Sequence, residues 1–331
     1  MQIVLKSNFK TTNRDNRRIN QKPYAAMLSI IICSVSPENA ERTKANIEKT
    51  INLEHEFIIV DNRIHKWSIT KAYNVGAEQA KYPYLLFVHE DVLFKNQNWG
   101  EFIIGKLQEP DCGAIGYAGS MVMLDCYSGW PQSGEWDVML LFQGSKNAPS
   151  VLAASNVSPD VPFREVVNLD GLGIFVRKEV WEEFRFDDEN VTGFHCYDID
   201  FSIRIAASKK YKNYVCCSLD AMVEHLSQGN YNQSWYADTI RLHDTKWKKL
   251  LPLYAEGQEP DSKYAAAKRE KLDHYFLKKL QKKGYKEQNQ VYRKFIVSYK
   301  MTPKHLGHCI EDTLRGIWKK IFNPSKHLST L

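Results

Sequence analysis

Residues 28–40, LSIIICSVSPENA, join an unbroken apolar run to a helix-start signal. A β-branched run such as residues 28–34 is typical of a strand buried on both faces of a sheet. Ser36 and Pro37 then supply a helix N-cap and a proline at the first helical position. We therefore predict a strand over residues 28–34 and a helix that ends near Ile51.

The same alternation of apolar runs and amphipathic stretches continues along the chain. It predicts strands over residues 57–60, 84–88, 112–116, 171–176 and 214–217, and helices over residues 70–81, 99–107, 178–184, 197–209 and 232–251. Such alternation favours right-handed βαβ units, hence the α/β class with a mostly parallel sheet flanked by helices. Residues 117–168 are rich in Gly, Trp, Ser and Pro and are predicted to form an irregular insertion.

Charge divides the chain of 331 residues into three parts. Residues 1–26 form a basic N-terminal segment, residues 27–251 the α/β domain, and residues 252–331 a basic helical extension. Residues 261–331 contain 17 lysines and arginines against 6 acidic residues, although the net charge of the whole chain is only +6. The central body is therefore acidic, which argues against a nucleic-acid-binding surface and for a catalytic body with basic appendages.

Apolar runs and cysteines indicate the compartment. No run is long enough to span a bilayer, and the first residues lack a secretory signal pattern. The seven cysteines are an odd number, which is typical of reduced thiols. We expect a cytoplasmic protein, and residues 304–322 predict a basic amphipathic helix for the inner face of an anionic membrane. The alternative interpretation is that the helices predicted over residues 262–283 and 304–322 pack on the α/β domain, with their lysines exposed to solvent.

Polar residues follow the predicted strands at their carboxyl ends, where open sheets of this class bind ligands. Asp91 ends the segment VHED and suits a Mg²⁺ or Mn²⁺ ligand, although an acid that caps the next turn gives the same pattern. Asp61 suits either a ribose contact or an ordinary turn. His225 is either a metal ligand or a core hydrogen-bonding residue.

Two further groups of polar residues have competing interpretations. Asp198 and Asp200 lie in the first turn of a predicted helix, where acids stabilise the helix dipole, but Asp198 also suits a general base facing a cleft. His305 and His308 lie beside Cys309, yet no second Cys/His pair is nearby, so no zinc site is predicted.

In their order along the chain, these segments resemble a family-2 glycosyltransferase of GT-A fold, in the branch named after a protein of streptomycin biosynthesis. The resemblance covers about residues 27–251, and no single motif in it is decisive. It rests on LSIIICS (28–34), Asp61-Asn62, SITKAYNVGAEQAKYPYLLFVHEDV (68–92), LDGLGIFVRKEVWEE (169–183), FDDENVTGFHCYDIDFSIR (186–204) and EHLSQGNYNQSW (224–235).

This resemblance implies an inverting, metal-dependent enzyme that moves a sugar from a nucleotide-sugar donor to a hydroxyl of a saccharide or lipid-linked acceptor, in polysaccharide or glycoconjugate assembly. His89 and Tyr197 depart from the Asp and Glu usual at their positions. The implied roles on this chain are nucleotide binding by Ser34, Asp61, Lys71 and Asn74, binding of Mn²⁺ or Mg²⁺ by Asp91, His89 and His225, base catalysis by Asp198, and acceptor contacts by Asp170 and Gly171.

Aromatic residues of the insertion, Trp130, Trp136 and Tyr127, are predicted either to stack on acceptor sugars or to form a local core. Two other functions compete with the transferase. A sugar nucleotidyltransferase is disfavoured because residues 33–38, CSVSPE, contain no glycine for a phosphate loop. A catalytically degenerate nucleotide-sugar-binding or scaffold protein is the second alternative, since His89 and Tyr197 depart from the family pattern.

Overall fold

The computed structural model describes residues 26–145, 148–227, 229 and 231–282. Its strands and helices alternate in the first half, as expected for the α/β class. In chain order the elements are β1 (Met27–Ser34), α1 (Pro37–Thr50), β2 (Glu54–Asp61), α2 (Asn62–His65), α3 (Ile69–Gln79), β3 (Tyr84–Val88), β4 (Val92–Phe94), α4 (Trp99–Leu107), β5 (Cys112–Gly116), β6 (Ala118–Ser120), β7 (Val122–Met123), β8 (Asp137–Ser145), β9 (Ala148–Ser155), β10 (Phe163–Val166), β11 (Asn168–Leu169), β12 (Gly173–Arg177), α5 (Lys178–Phe184), α6 (Tyr197–Ala207), β13 (Lys212–Cys216), β14 (Val223–His225), α7 (Gln233–Thr245), β15 (Leu253–Tyr254) and α8 (Ser262–Lys282).

The main sheet has seven strands in the order β10-β13-β5-β12-β3-β1-β2. Strands β1, β2 and β3 are parallel, as are β5 and β13, whereas β12 is antiparallel to both of its neighbours and β10 to β13. The predicted α/β class is confirmed, but the sheet is mixed rather than mostly parallel. The reason is that the chain enters β10 and β12 directly from strands of another sheet, β9 and β11. A parallel strand is usually reached through a crossover helix, which is missing before both.

A second sheet replaces the irregular insertion predicted over residues 117–168. Strands β11, β6, β8, β14 and β4 pair in that order, and β9 pairs with β8. That prediction was wrong for two reasons. Strands β6 and β11 are only three and two residues long, too short for a period-two pattern to emerge, and the longer β8 and β9 do not alternate apolar and polar residues. The second sheet also recruits β4 and β14, which lie outside the insertion.

The core lies on both faces of the main sheet. Alternate residues of β1 enter different clusters, with Ile31 on one face and Ile30 and Ile32 on the other. Helices α3 and α6 pack on the first face, and α1 and α4 on the second. Both residues of the predicted helix-start signal are confirmed, since the Ser36 hydroxyl caps α1 by accepting from the Asn39 amide and Pro37 is the first residue of the helix.

The described part of the C-terminal extension packs on the domain. Strand β15 pairs with β7, and α8 buries Phe276, Leu277 and Leu280 against Tyr236 and Ile240 of α7. The packing interpretation is therefore confirmed for the apolar face of this helix, and membrane contact through its other face stays a prediction. The predicted membrane helix at residues 304–322, the zinc-like residues near 305–309 and the basic residues 1–25 lie outside the described residues.

Two further observations concern the cysteines and the presence of membrane-spanning helices. The six cysteines of the described residues are all free thiols. No helix within the described ranges has the length and apolar character needed to cross a membrane.

Candidate active site

The carboxyl ends of β1, β2 and β3 lie side by side at one edge of the main sheet. Ser34 is in register with Asp61, and β3 ends one residue before His89. Antiparallel β12 brings its preceding loop to the same edge, because the His89 amide donates to the Leu172 carbonyl at 3.1 Å. The residues predicted from strand ends thus meet at one place.

The second sheet completes the edge by delivering His225. Strand β14 pairs with β4 so that His225 lies opposite Val92, and the Leu226 amide donates to the Asp91 carbonyl at 3.0 Å. One ligand atom from each of His89, Asp91 and His225 lies within 4.8 Å of the others. Two imidazoles and a carboxylate are a donor set that suits a divalent transition ion.

Two of the three side chains in this cluster are in the protonation state that binds a cation. The third, His225, is buried, which lowers its pKa, but the hydrogen bond and charge of Asp91 outweigh this and raise that pKa, so a cation competes there with a proton. Burial lowers the pKa of His89 to about 4, with the nearby His225 adding to the effect, so its imidazole is neutral at pH 7. Burial by itself raises the pKa of Asp91, but the hydrogen bond and charge of His225 outweigh it and hold that pKa well below its usual range. The cluster therefore offers an ionised carboxylate and a neutral imidazole.

Helix α6 presents Tyr197 and Asp198 from its first turn. The Tyr197 hydroxyl donates to the Gly171 carbonyl at 2.8 Å and lies 2.8 Å from His89 Nε2. The Asp198 carboxylate accepts from the Gly171 amide and from the Ile199 amide, each at 2.9 Å. Both peptide groups of Gly171 thus hold the start of α6 in place.

The pKa of Asp198 is far above that of an exposed carboxyl group. Burial, together with the negative charge of Asp170, raises the pKa of Asp198 to about 7, although backbone hydrogen bonds at Ile199 and Gly171 oppose the change. A carboxyl with a pKa near the operating pH exchanges protons readily in both directions. Asp198 is therefore tuned for acid–base chemistry.

Two cavities adjoin the cluster and share His89 and Phe194 in their walls. The first has a volume of about 210 Å³ and also contains His225 and Asp198. The second, of about 410 Å³, contains Asp91 and is bounded by the ends of β1 and β2. The His89–Asp91–His225 cluster thus lies at the junction of the two cavities.

Three of the residues predicted to bind nucleotide, Ser34, Asp61 and Lys71, lie next to wall residues of the second cavity but are not part of its wall. Ser34 is buried and donates to a Glu90 carboxylate oxygen at 2.6 Å, while Asp61 pairs with Arg63. Lys71 lies 5.3 Å over the Trp67 ring, and Trp67 lines the cavity. Their chain neighbours Cys33, Asn62 and Glu90 line it instead.

Asn74 has a structural role. It is 2% exposed, its amide donates to the Phe186 carbonyl at 2.8 Å, and its oxygen accepts from the Phe186 amide and the Trp181 indole. These bonds secure the chain after α5 against α3. The structure therefore does not bring Asn74 to the cavity, because its polar atoms are used inside the fold.

The residues predicted for the acceptor side, Asp170, Gly171 and Trp130, all line the first cavity. Of the other two aromatics, Trp136 packs in a small core with Val122 and Leu124, and Tyr127 donates to Asp244 at 2.8 Å. The core interpretation therefore applies to Trp136, while stacking of Trp130 on an acceptor sugar stays a prediction.

Sequence reasoning missed three residues of the cavity walls, Glu90, Trp67 and Phe194. Glu90 lies between the two predicted ligands His89 and Asp91. Its position just after the end of β3 is the sequence signal from which it could have been predicted. Its carboxylate accepts from the Ser36 amide at 2.9 Å, which places it at the start of α1. Trp67 and Phe194 lie in loops, where no periodicity marks them.

Comparison with known proteins identifies the family. A model described as "Glycosyltransferase like family" matches residues 29–245. The chain belongs to this glycosyltransferase-like family. A search of curated proteins finds no match. Among solved structures, the one titled "Crystal structure of GalNAc-T7 with UDP, GalNAc and Mn2+" is similar at 11% identity and a TM-score of 0.46, over 68% of this chain and 49% of that one. This chain therefore spans about half the length of that structure.

Proposed function

We propose that this glycosyltransferase-like chain is an inverting, metal-dependent transferase that moves a sugar from a nucleotide-sugar donor to a hydroxyl of a saccharide or lipid-linked acceptor. The observation that carries the proposal is the position of the His89–Asp91–His225 cluster at the junction of two cavities, with Asp198 in one of them. Membership of the streptomycin-biosynthesis-protein branch and a role in polysaccharide or glycoconjugate assembly stay predictions.

The second cavity is assigned to the nucleotide. Trp67 offers an aromatic wall for a base, and Asn62 and Glu90 offer polar atoms near the ends of β2 and β3. One Glu90 oxygen accepts from the Ser34 hydroxyl and from the amides of Val35 and Ser36, and so lies directly before α1. The diphosphate is therefore assigned to the cluster rather than to the start of α1.

Asp91, His89 and His225 are assigned to Mn²⁺ or Mg²⁺. When bound, such an ion supplies positive charge against the negative charge that develops on a leaving diphosphate. The protein residues contribute the site itself, since the pairing of β14 with β4 and the bond from the Leu226 amide to the Asp91 carbonyl hold His225 beside Asp91.

Asp198 is assigned as the catalytic base. Its carboxylate accepts the proton of the acceptor hydroxyl while that oxygen forms a bond to the anomeric carbon, and the bond from this carbon to the diphosphate oxygen breaks. A single displacement of this kind inverts the anomeric centre. Asp170, Gly171 and Trp130 are assigned to the acceptor or to holding Asp198, because they share its cavity.

Thermal unfolding of the purified chain with UDP, GDP, CDP and dTDP, each with and without Mn²⁺, tests the proposal. One nucleotide is expected to raise the Tm only with Mn²⁺, because a ligand bound by the folded state alone stabilises it. Asp91→Ala is expected to abolish that rise, while the exposed Asp111→Ala serves as the matched control. No rise with any nucleotide contradicts the proposal.

Hydrolysis of the nucleotide-sugar donor distinguishes an active transferase from a catalytically degenerate nucleotide-sugar-binding protein. An active enzyme releases nucleoside diphosphate slowly from the matching nucleotide sugar when Mn²⁺ is present, and Asp198→Asn reduces transfer to an acceptor. Nucleotide binding without any turnover identifies the degenerate binding protein instead.

A further inference from the structure

The two positions at which the chain departs from the resembled family pattern are in contact. His89 stands in place of an Asp and Tyr197 in place of a Glu, and 2.8 Å separates His89 Nε2 from the Tyr197 oxygen. These residues come from different elements, the end of β3 and the first turn of α6.

The direction of the hydrogen bond follows from the groups around it. The Tyr197 hydroxyl has one hydrogen, and the Gly171 carbonyl 2.8 Å away can only accept it. A tyrosine hydroxyl, whose ordinary pKa is about 10, keeps this hydrogen at neutral pH. His89 Nε2 must therefore donate to the Tyr197 oxygen, which leaves Nδ1 as the ring nitrogen that can bind a cation.

We propose that Tyr197 is a positioning residue that fixes His89 in the tautomer whose Nδ1 lone pair binds a divalent cation together with Asp91 and His225. This rests on the metal site of the proposed function. Metal-binding histidines commonly donate their other ring N–H to an acceptor that sets the tautomer and orients the ring. Tyr197 does so here, and Gly171 in turn orients Tyr197.

Gly171 is required by this arrangement. A Cβ built on Gly171 lies 2.1 Å from the Tyr197 oxygen, a separation that no pair of non-bonded atoms tolerates. The tyrosine hydroxyl thus occupies the space that a side chain at residue 171 requires. The chain uses the glycine here for close approach of an aromatic side chain to backbone.

A second imidazole changes the preferred ion. Mg²⁺ takes oxygen ligands and binds poorly to nitrogen, whereas Mn²⁺ and later transition ions accept imidazole. With His89 and His225 both binding through nitrogen, the site is expected to hold Mn²⁺ at least tenfold more tightly than Mg²⁺. His89→Asp, which replaces a nitrogen ligand by an oxygen ligand, is expected to reduce the ratio of Mn²⁺ affinity to Mg²⁺ affinity.

Mn²⁺ binding to the purified full chain, followed by the electron paramagnetic resonance signal of free Mn²⁺, tests the proposal without reference to activity. Tyr197→Phe is expected to weaken Mn²⁺ binding about tenfold to a hundredfold. Tyr117→Phe is the matched control: it removes a buried hydroxyl that has no hydrogen-bond partner within the described residues, and it is expected to leave the Kd unchanged.

A double-mutant cycle separates positioning from general damage to the fold. In a His89→Ala background, Tyr197→Phe is expected to cause no further loss of Mn²⁺ affinity, because the two residues act as one unit. An equal loss in both backgrounds overturns the proposal. If wild type binds Mn²⁺ and Asp91→Ala abolishes binding while Tyr197→Phe has no effect, this inference fails but the proposed metal site stands.

Histidine tautomers are measured directly in the metal-free protein by long-range ¹H–¹⁵N spectra. The His89 ring is expected to carry its proton on Nε2 in wild type and in Tyr117→Phe. A proton on Nδ1 in wild type overturns the proposal. This measurement needs no metal and no substrate, so it also stands if the proposed function fails.

Discussion

At the scale of single residues, the pKa of Asp198 connects the structure to a rate. Because burial and Asp170 raise that pKa to about 7, much of Asp198 is protonated below neutral pH and unable to act as a base. We expect kcat/KM for transfer to rise with pH through about 7 and then to level off. Asp198→Asn is expected to lower kcat by a factor of about 100 or more.

The same reasoning predicts the effect of the neighbouring carboxyl. Asp170→Asn removes a negative charge that raises the pKa of Asp198, so the midpoint of the pH profile is expected to move to lower pH. The Asn oxygen still accepts from the Leu172 amide, which Asp170 now holds at 3.0 Å. The exposed Asp111→Asn is the control and should not move the midpoint. A profile that is flat between pH 6 and 8 in wild type contradicts the assignment of Asp198.

Two of the predicted site residues that lie in cavity walls have a common position in the sequence pattern. Asp91 and Asp198 occupy element ends, where an ionisable side chain has no packing role that its neighbours require, and both lie in cavity walls. Asn74, by contrast, was predicted to bind nucleotide but does not reach the cavity. A polar residue on a buried helix face can bind a ligand or the backbone, and Asn74 bonds the backbone of Phe186. Spacing alone does not separate these two uses, since it carries no information about tertiary partners.

At the scale of elements, predictability follows local periodicity. Strand β3, α4, β5 and α5 begin and end where the sequence predicts, because each is a clean apolar run or amphipathic stretch between breakers. The second sheet was not predicted, since pairs such as β11 with β6 join only two residues from each strand. It brings His225 to His89 and Asp91, so the sequence named all three residues of the cluster but did not predict the sheet that brings His225 to the other two.

Helix α8 provides a test at this scale. It buries Phe276 and Leu277 against α7, where Trp235, a wall residue of the first cavity, contacts the Phe276 ring at a centroid distance of 5.5 Å. Phe276→Ala is expected to lower the free energy of unfolding by about 3 kcal/mol, because it leaves a cavity in a packed core. Denaturant titration of the full chain measures this change.

The control lies one residue away. Tyr275 is 59% exposed, so Tyr275→Ala is expected to change the free energy of unfolding by less than about 0.5 kcal/mol. Equal stabilities for Phe276→Ala and wild type would show that α8 does not pack on α7 in solution. The extension would then be an independent appendage, as the boundary predicted near residue 252 implies.

At the scale of the whole molecule, charge is concentrated at the chain ends while the catalytic body is acidic. Residues 261–331 contain 17 lysines and arginines against 6 acidic residues. On α8, the buried face is used by α7, whereas Lys271, Tyr275 and Lys279 are exposed and spaced four residues apart on another face. Packing on the domain and contact with an anionic surface are therefore compatible for this helix.

We propose that this basic face helps to hold the enzyme at a membrane that carries anionic lipids, where a lipid-linked acceptor is presented. The full chain is expected to co-sediment with vesicles containing phosphatidylglycerol and not with pure phosphatidylcholine, and binding is expected to fall as salt rises. The pair Lys271→Glu and Lys279→Glu should weaken binding, because each lysine near an anionic surface contributes about 1 kcal/mol. Lys49→Glu on α1 changes charge on an exposed residue of another helix and serves as the control. Equal binding to both kinds of vesicle, or an equal loss for the control, would rule out an electrostatic contact through α8.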